Sequence, residues 1–237
     1  MKALILAAGK GTRLAPFTDH HPKALAKVNG IPLLERNIRY LQHYGINDFV
    51  INIHHFGQQI VDFLRKHDDF GARIEISDEK DELLETGGGL IFARKFLDHG
   101  EDFLMMNADI LTDLNISDFI AAHQEKKDFI TLAVSDRKSS RKLLFNESMM
   151  LRGWLNSTTG EERLTEAKDK LIPLSFSGIH CVNPGIFHQI KRIGKFSIMD
   201  EYLDMMQTNL IRGYEHQALL IDVGRPESVL QAEQYFK

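Results

Sequence analysis

Met1-Lys2-Ala3-Leu4-Ile5-Leu6-Ala7-Ala8-Gly9-Lys10-Gly11-Thr12-Arg13-Leu14 is the stretch that decides how the rest of the chain is read. Residues 2–7 are a short apolar run with the length of a buried strand. The run is too short for a signal-peptide core with its cleavage region, and far below the ~20 apolar residues a bilayer span needs. Two glycines follow at once, freeing the backbone to approach a ligand, while Lys10 and Arg13 bring positive charge to the end of the strand. Such a loop suits a triphosphate. A structural turn carrying two solvated cations explains the same residues. Leu14 stands where a dinucleotide-binding fingerprint needs its third glycine, and no Gly-Lys-Ser/Thr follows at Walker spacing, so neither of those motifs is present.

Beyond this loop, short runs rich in Val, Ile, Leu and Phe alternate with longer segments of helical spacing, the pattern of a mainly parallel sheet covered on both faces. The class is α/β, doubly wound. Strands are expected at residues 2–7, 49–53, 73–77, 103–106 and 129–134, and helices at 33–44, 57–66, 88–97 and 117–126. Gly45 supplies the stop for the first helix. From Ser135 to Pro173 polar residues interrupt short extended runs at 143–145 and 150–155, and 156–160 has turn composition, so a hairpin-rich insertion is expected at 135–173. A strand at 174–181, helices at 184–190 and 199–207, a strand at 218–222 and a last helix from Pro226 complete one domain, 1–237.

With 237 residues and 43% hydrophobic residues the chain can bury a full core. Its net charge of -4 supplies no positive field for nucleic acid or an anionic membrane, so a bound anion must be held locally. Cys181 is the only cysteine, which excludes an internal disulfide and fits a reducing, cytoplasmic location. The adjacent His54 and His55 lack the spacing of a zinc site.

Pro22-Lys23 adds a proline-fixed lysine able to fold back toward a phosphate. From Leu6 through Pro22-Lys23-Ala24-Leu25 the chain resembles the sugar-nucleotide pyrophosphorylase family. Glu85-Thr86-Gly87-Gly88-Gly89, Asn107-Ala108-Asp109 and Asp222-Val223-Gly224 match it in order, so the resemblance spans almost the whole chain. The Glu-Thr-Gly-Gly-Gly run and Phe176 to Ile179 are similar to the branch acting on N-acetylmuramate-1-phosphate with UTP. Heptose- and mannose-1-phosphate guanylyltransferases are nearly as similar. With so few residues after Asp222, the C-terminal repeat domain of larger members is not expected.

The resemblance implies a glycosyltransferase-A-like sheet and transfer of a nucleoside monophosphate to a sugar-1-phosphate, with UTP the first choice of donor and GTP or CTP next. It implies Mg2+ held by Asp109 and Asp222. Ala7, Ala8, Gly9, Gly11 and Thr12 would cradle the triphosphate, Arg13 the leaving pyrophosphate and Lys23 the phosphates. Thr86, Gly87 and Gly88 would meet the nucleoside, and Asn107, Ser177 and Gly178 the sugar. Read from the residues alone, the glycine triplet also fits helix entry, each aspartate a turn or cap, and Gly178 a backbone crossing. The Glu-Lys pair many members carry in the insertion has no clean equivalent. Arg141, Lys142 and Lys168 are candidate substitutes, and Trp154 fits ligand stacking or packing. That gap leaves open a nucleotide-sugar-binding regulatory protein, and the shared scaffold leaves open a choline-phosphate cytidylyltransferase.

Overall fold

Strand β1 (Ala3–Leu6) is buried on both faces, as expected of an interior strand. The computed structural model describes residues 1–165 and 170–237, so Lys168 lies outside the described residues. After the loop come a small hairpin, β2 (Lys27–Val28) and β3 (Ile31–Pro32), helix α1 (Leu33–His43), strand β4 (Asp48–Ile53), helix α2 (Gly57–Lys66) and strand β5 (Arg73–Asp78). Helices α3 (Glu85–Phe92) and α4 (Arg94–Leu97) follow, then β6 (Phe103–Asn107), β7 (Ile110–Thr112), α5 (Ile116–Lys126) and β8 (Ile130–Ser135). Strands β9 (Arg141–Phe145), β10 (Leu151–Asn156), β11 (Glu162–Leu164) and β12 (Ile172–Val182) precede α6 (Ile198–Met205), β13 (Ile211–Glu215), β14 (Leu220–Asp222) and α7 (Pro226–Tyr235).

Strands β5, β4, β1 and β6 pair in parallel, in that order, with Ala3 beside both Phe49 and Leu104. Their side chains alternate between two cores. Ala3, Ile5, Phe49 and Ile51 point to one, with Leu34, Ile38 and Leu41 of α1 and Ile60 of α2. Leu4, Val50, Phe103 and Met105 point to the other, with Leu90, Leu97 and Tyr202. This split is what makes the sheet doubly wound, and it brings the carboxyl ends of the parallel strands to one edge.

The insertion continues the same sheet. Strand β12 pairs with β9 at Ile172–Leu174 and then runs between β6 and β8, with a register shift between Phe176 and His180. Gly178 lies in that irregularity with φ 78, a conformation that favours glycine.

The short strands β2, β3, β7 and β11 were not among the sequence expectations, and four further elements differ from them. Strand β13, which was not expected, pairs in parallel with β8; its Ile-Arg-Gly-Tyr-Glu run is short and broken by a glycine packed under Phe145. Strand β14 does not join the main sheet but pairs with β7. Pro184–His188 forms a 3-10 turn capped by the Asn183 side chain, not an α-helix. The helix expected from Gly88 starts at Glu85 and is divided at Ala93.

Candidate active site

A cleft of about 340 Å³ opens where β1, β4 and β6 end. Ala7, Ala8 and Gly9 form one wall, Asn107 and Asp109 another, and Thr86 at the start of α3 a third. Ala7 and Ala8 are buried, whereas Gly9, Lys10, Thr12 and Arg13 are exposed along the rim. Gly11 turns the loop with φ 64 and lies against Lys23, so close that a Cβ there would stand 2.7 Å from the Lys23 Cβ. Its carbonyl accepts a hydrogen bond from Thr18 Oγ1 at 3.0 Å. The loop and the Pro22-Lys23 segment are therefore built as one unit.

Lys23, its side chain only 11% exposed, donates from Nζ to Asp109 Oδ2. The Asp109 carbonyl accepts from the Val223 N–H at 2.8 Å, which ties the turn after β6 to the end of β14. Asp222 Oδ1, Arg13 Nη2 and Lys23 Nζ all lie within 3.4 Å of the position a Cβ on Gly224 would take. Four residues singled out in the sequence, Arg13, Lys23, Asp109 and Asp222, thus converge from four segments. Burial and the neighbouring Asp109 raise the Asp222 carboxyl above its ordinary range, against the pull of Lys23, Arg13 and Arg137.

Two carboxylates beside a phosphate loop fit Mg2+, which commonly takes one or two carboxylates and completes its shell with water and substrate phosphate oxygens. No group of three or more His, Cys, Asp or Glu suited to a metal exists among the described residues. The donor set therefore fits a metal carried in with a triphosphate better than one caged by protein alone.

Beneath the cleft is a buried polar relay that sequence reading missed. Asn52 Oδ1 accepts from the Ala7 N–H at 2.7 Å, and Asn52 Nδ2 donates to Glu79 Oε1 at 2.7 Å. Glu79 Oε2 accepts from the Leu84 N–H at 2.9 Å. Glu79 is 2% exposed, and burial raises its pKa while these hydrogen bonds oppose the shift. The relay fixes the loop after β1 to the segment leading into α3. Its one sequence signal is Asn52, a polar residue inside the apolar run Phe49-Val50-Ile51-Asn52-Ile53.

The glycine triplet has a different reason for its composition from close approach of a nucleoside. All three glycines are buried inside α3. A Cβ on Gly87 would come 2.2 Å from the Phe196 ring, one on Gly88 2.2 Å from the Gly194 carbonyl oxygen, and one on Gly89 2.6 Å from Glu79 Oε1. The Gly87 N–H is also bonded to the Phe196 carbonyl at 2.9 Å. Protein fills the space the glycines leave, and of this run it is Glu85 and Thr86 that line the cleft. Thr86 Oγ1 accepts from the Ile198 N–H at 3.0 Å, joining α3 to α6.

On the sugar side, Asn107 reaches the cleft but Ser177 does not. Ser177 is fully buried, with Oγ 2.9 Å from His216 Nε2, while Gly178 packs on Ile110 and on the Asn107 amide. A second cleft of about 380 Å³ adjoins the first at Ser197 and is lined by Arg141, Lys142, Trp154, Arg163 and Phe176. Trp154 also packs against the second core. Lys142 is engaged with the Arg137 carbonyl at 2.7 Å, and Arg163 with Asp200 and Asp204.

Comparison with known proteins matches residues 2–143 to the family model described as Nucleotidyl transferase. The chain is 32% identical over 224 residues to N-acetylmuramate alpha-1-phosphate uridylyltransferase of Neisseria meningitidis, covering 94% of this chain and 93% of that protein. It is 31% identical over 238 residues to the protein of the same name from Caulobacter vibrioides, covering 98% and 95%. Mannose-1-phosphate guanyltransferase of Schizosaccharomyces pombe is 26% identical over 97% of this chain and 62% of its own. Among solved structures, HddC of Yersinia pseudotuberculosis, complexed with GMP-PN, superposes with a TM-score of 0.81 at 22% identity over 100% of this chain and 99% of that one, a likeness of fold.

Proposed function

The chain belongs to the nucleotidyl transferase family and is a sugar-1-phosphate nucleotidyltransferase, and we propose that its cleft joins UMP from UTP to a sugar-1-phosphate with release of pyrophosphate. The observation that carries this reading is the convergence of Arg13, Lys23, Asp109 and Asp222 at the carboxyl edge of the parallel strands. UTP is the donor of choice because the two relatives above 30% identity are named uridylyltransferases; GTP and CTP come next, from guanyl- and cytidylyltransferase relatives at 26%.

An oxygen of the acceptor phosphate attacks the α-phosphorus of the triphosphate in line, the bond from that phosphorus to the bridging oxygen breaks, and pyrophosphate leaves. No covalent bond to the protein is required. Asp109 and Asp222 would hold Mg2+, which when bound supplies charge neutralisation to the phosphates. Lys23 neutralises the phosphate oxygens and Arg13 the departing pyrophosphate, where charge develops in the transition state. The loop from Ala7 through Thr12 positions the triphosphate, Thr86 faces the nucleoside from a helix start that Gly87 and Gly88 let pack on Phe196 and Gly194, and Asn107, on whose amide Gly178 packs, faces the sugar. Ser177, being buried, supports Gly178 through its bond to His216. Use of a nucleoside triphosphate argues for a cytoplasmic location, and no helix among the described residues is long and apolar enough to cross a membrane.

Pyrophosphate release from UTP, GTP, CTP and dTTP, each against a panel of sugar-1-phosphates and phosphocholine, tests the assignment. The expected result is release with UTP and one sugar-1-phosphate. Release with phosphocholine alone would move the chain to another acceptor class, and release with no pair would make it a binding protein.

A further inference from the structure

Arg137 is a cation without an anion. It is half-buried just past β8, and its guanidinium makes one hydrogen bond, from Nη2 to the Phe176 carbonyl at 2.8 Å. Its Nε is buried with no partner, and no carboxylate lies within ion-pair distance of it among the described residues. A buried guanidinium nitrogen left unpaired is costly, and such a group is satisfied when an anion arrives. The backbone is held firmly, because the Arg137 carbonyl accepts from both Ser175 Oγ at 2.8 Å and Lys142 Nζ at 2.7 Å. Of the cations lining the second cleft, Lys142 is tied to that carbonyl, Arg163 to Asp200 and Asp204, and Arg141 is exposed to solvent.

Its position gives the anion an identity. Phe176, whose carbonyl it bonds, lines the second cleft, and Gly178, two residues further along the same strand, packs on the Asn107 amide, which lines the first. Arg137 therefore stands at the junction of the two clefts, beside the strand whose residues border both. A sugar-1-phosphate seated in the second cleft must put its phosphate at that junction to reach the α-phosphorus. Guanidinium nitrogens present a planar fork suited to phosphate oxygens.

We propose that Arg137 binds the phosphate of the acceptor, serving where the Glu-Lys pair of many relatives is missing. This rests on the reading of the protein as a sugar-1-phosphate nucleotidyltransferase. Two variants separate charge from packing: Arg137→Gln keeps an N–H donor for the Phe176 carbonyl but removes the charge, and Arg137→Lys keeps the charge without the fork.

With the acceptor and triphosphate varied in turn, Arg137→Gln is expected to raise the acceptor KM about ten- to hundredfold, the range a lost charged hydrogen bond gives, while the triphosphate KM stays within about twofold. Arg137→Lys is expected to recover part of the acceptor KM. An acceptor KM within about twofold of wild type in both variants, or an equal rise for the triphosphate, overturns the assignment. A wild-type protein that releases pyrophosphate from no pair overturns the underlying reading and the assignment with it. Should Arg137→Gln not fold, phenylglyoxal labelling of the wild-type protein, followed by mass spectrometry, decides: protection of Arg137 by the sugar-1-phosphate and not by UTP is expected, and labelling unchanged by the acceptor overturns the proposal.

Discussion

Lys23 and Asp109 are bonded to each other in a cleft that must receive a triphosphate and a cation, so each has one partner in this structure and another in the reaction. Replacing Asp109 by Asn removes one of two metal-binding carboxylates and the anionic partner of Lys23. Turnover in Asp109→Asn is expected to fall by about 10²–10³-fold, the scale seen when one transition-state charge contact is lost. Its melting temperature should stay near the wild-type value, and near-normal turnover would refute the metal assignment. Glu79 acts at a distance. Glu79→Gln exchanges one accepting oxygen for a donor and leaves either the Leu84 N–H or the Asn52 amide facing another donor. The expected loss is about 1–3 kcal/mol of stability, measured by urea unfolding; an unchanged midpoint would mean the relay contributes nothing. Arg13, Lys23, Asp109 and Asp222 were legible in the sequence because their types and local motifs announce phosphate chemistry. Glu79, Arg137 and His216 were not, since each gains its meaning from a partner 27 or more positions away that no local pattern marks.

Helix α3 shows how an element can carry a motif for a reason other than the one its composition suggests. Three consecutive glycines read as a surface laid open to a ligand, yet Phe196, Gly194 and Glu79 occupy that surface. Gly87→Ala is therefore expected to cost about 1–3 kcal/mol through overpacking against Phe196. Gly9 is the opposite case: a Cβ there would meet nothing within 4 Å. Gly9→Ala should leave stability within about 0.5 kcal/mol of wild type while raising the triphosphate KM. If Gly9→Ala unfolds the protein, or Gly87→Ala is silent, the division between ligand glycine and packing glycine is wrong. The parallel strands and α1, α2 and α5 were legible because their apolar spacing is strong. Strand β13 was not, because a five-residue strand broken by glycine carries little periodicity. Strand β14 was legible as a strand but not as a partner of β7, because pairing is a tertiary choice.

At the scale of the whole molecule, the double-sided sheet buries histidines together with its apolar side chains. Burial pushes His180 down to about 3, and His123 and His216 are lowered by the same cause. A histidine held neutral in the fold is protonated more readily once unfolded, so its contribution to stability is complete above the usual imidazole pKa of about 6.5 and is lost as pH falls from there toward the folded value. Glu79, with its raised carboxyl, opposes this trend lower in the range. Melting temperature is therefore expected to be flat from about pH 8 to 7 and to fall between about pH 6.5 and 5, each histidine contributing up to about 1.4 kcal/mol per pH unit. A melting temperature that rises or stays constant over that interval would contradict it.

The whole-molecule claim, transfer of a nucleotidyl group to a phosphorylated sugar, is tested most directly by following the label from UTP carrying ³²P at the α-phosphate, with Mg2+ and the sugar-1-phosphate selected by pyrophosphate release. Label is expected to move into a UDP-sugar only when the acceptor is present, and to remain in UTP when it is omitted. Label collecting in UMP, with or without acceptor, would show hydrolysis in place of transfer and would contradict the function derived from the cleft.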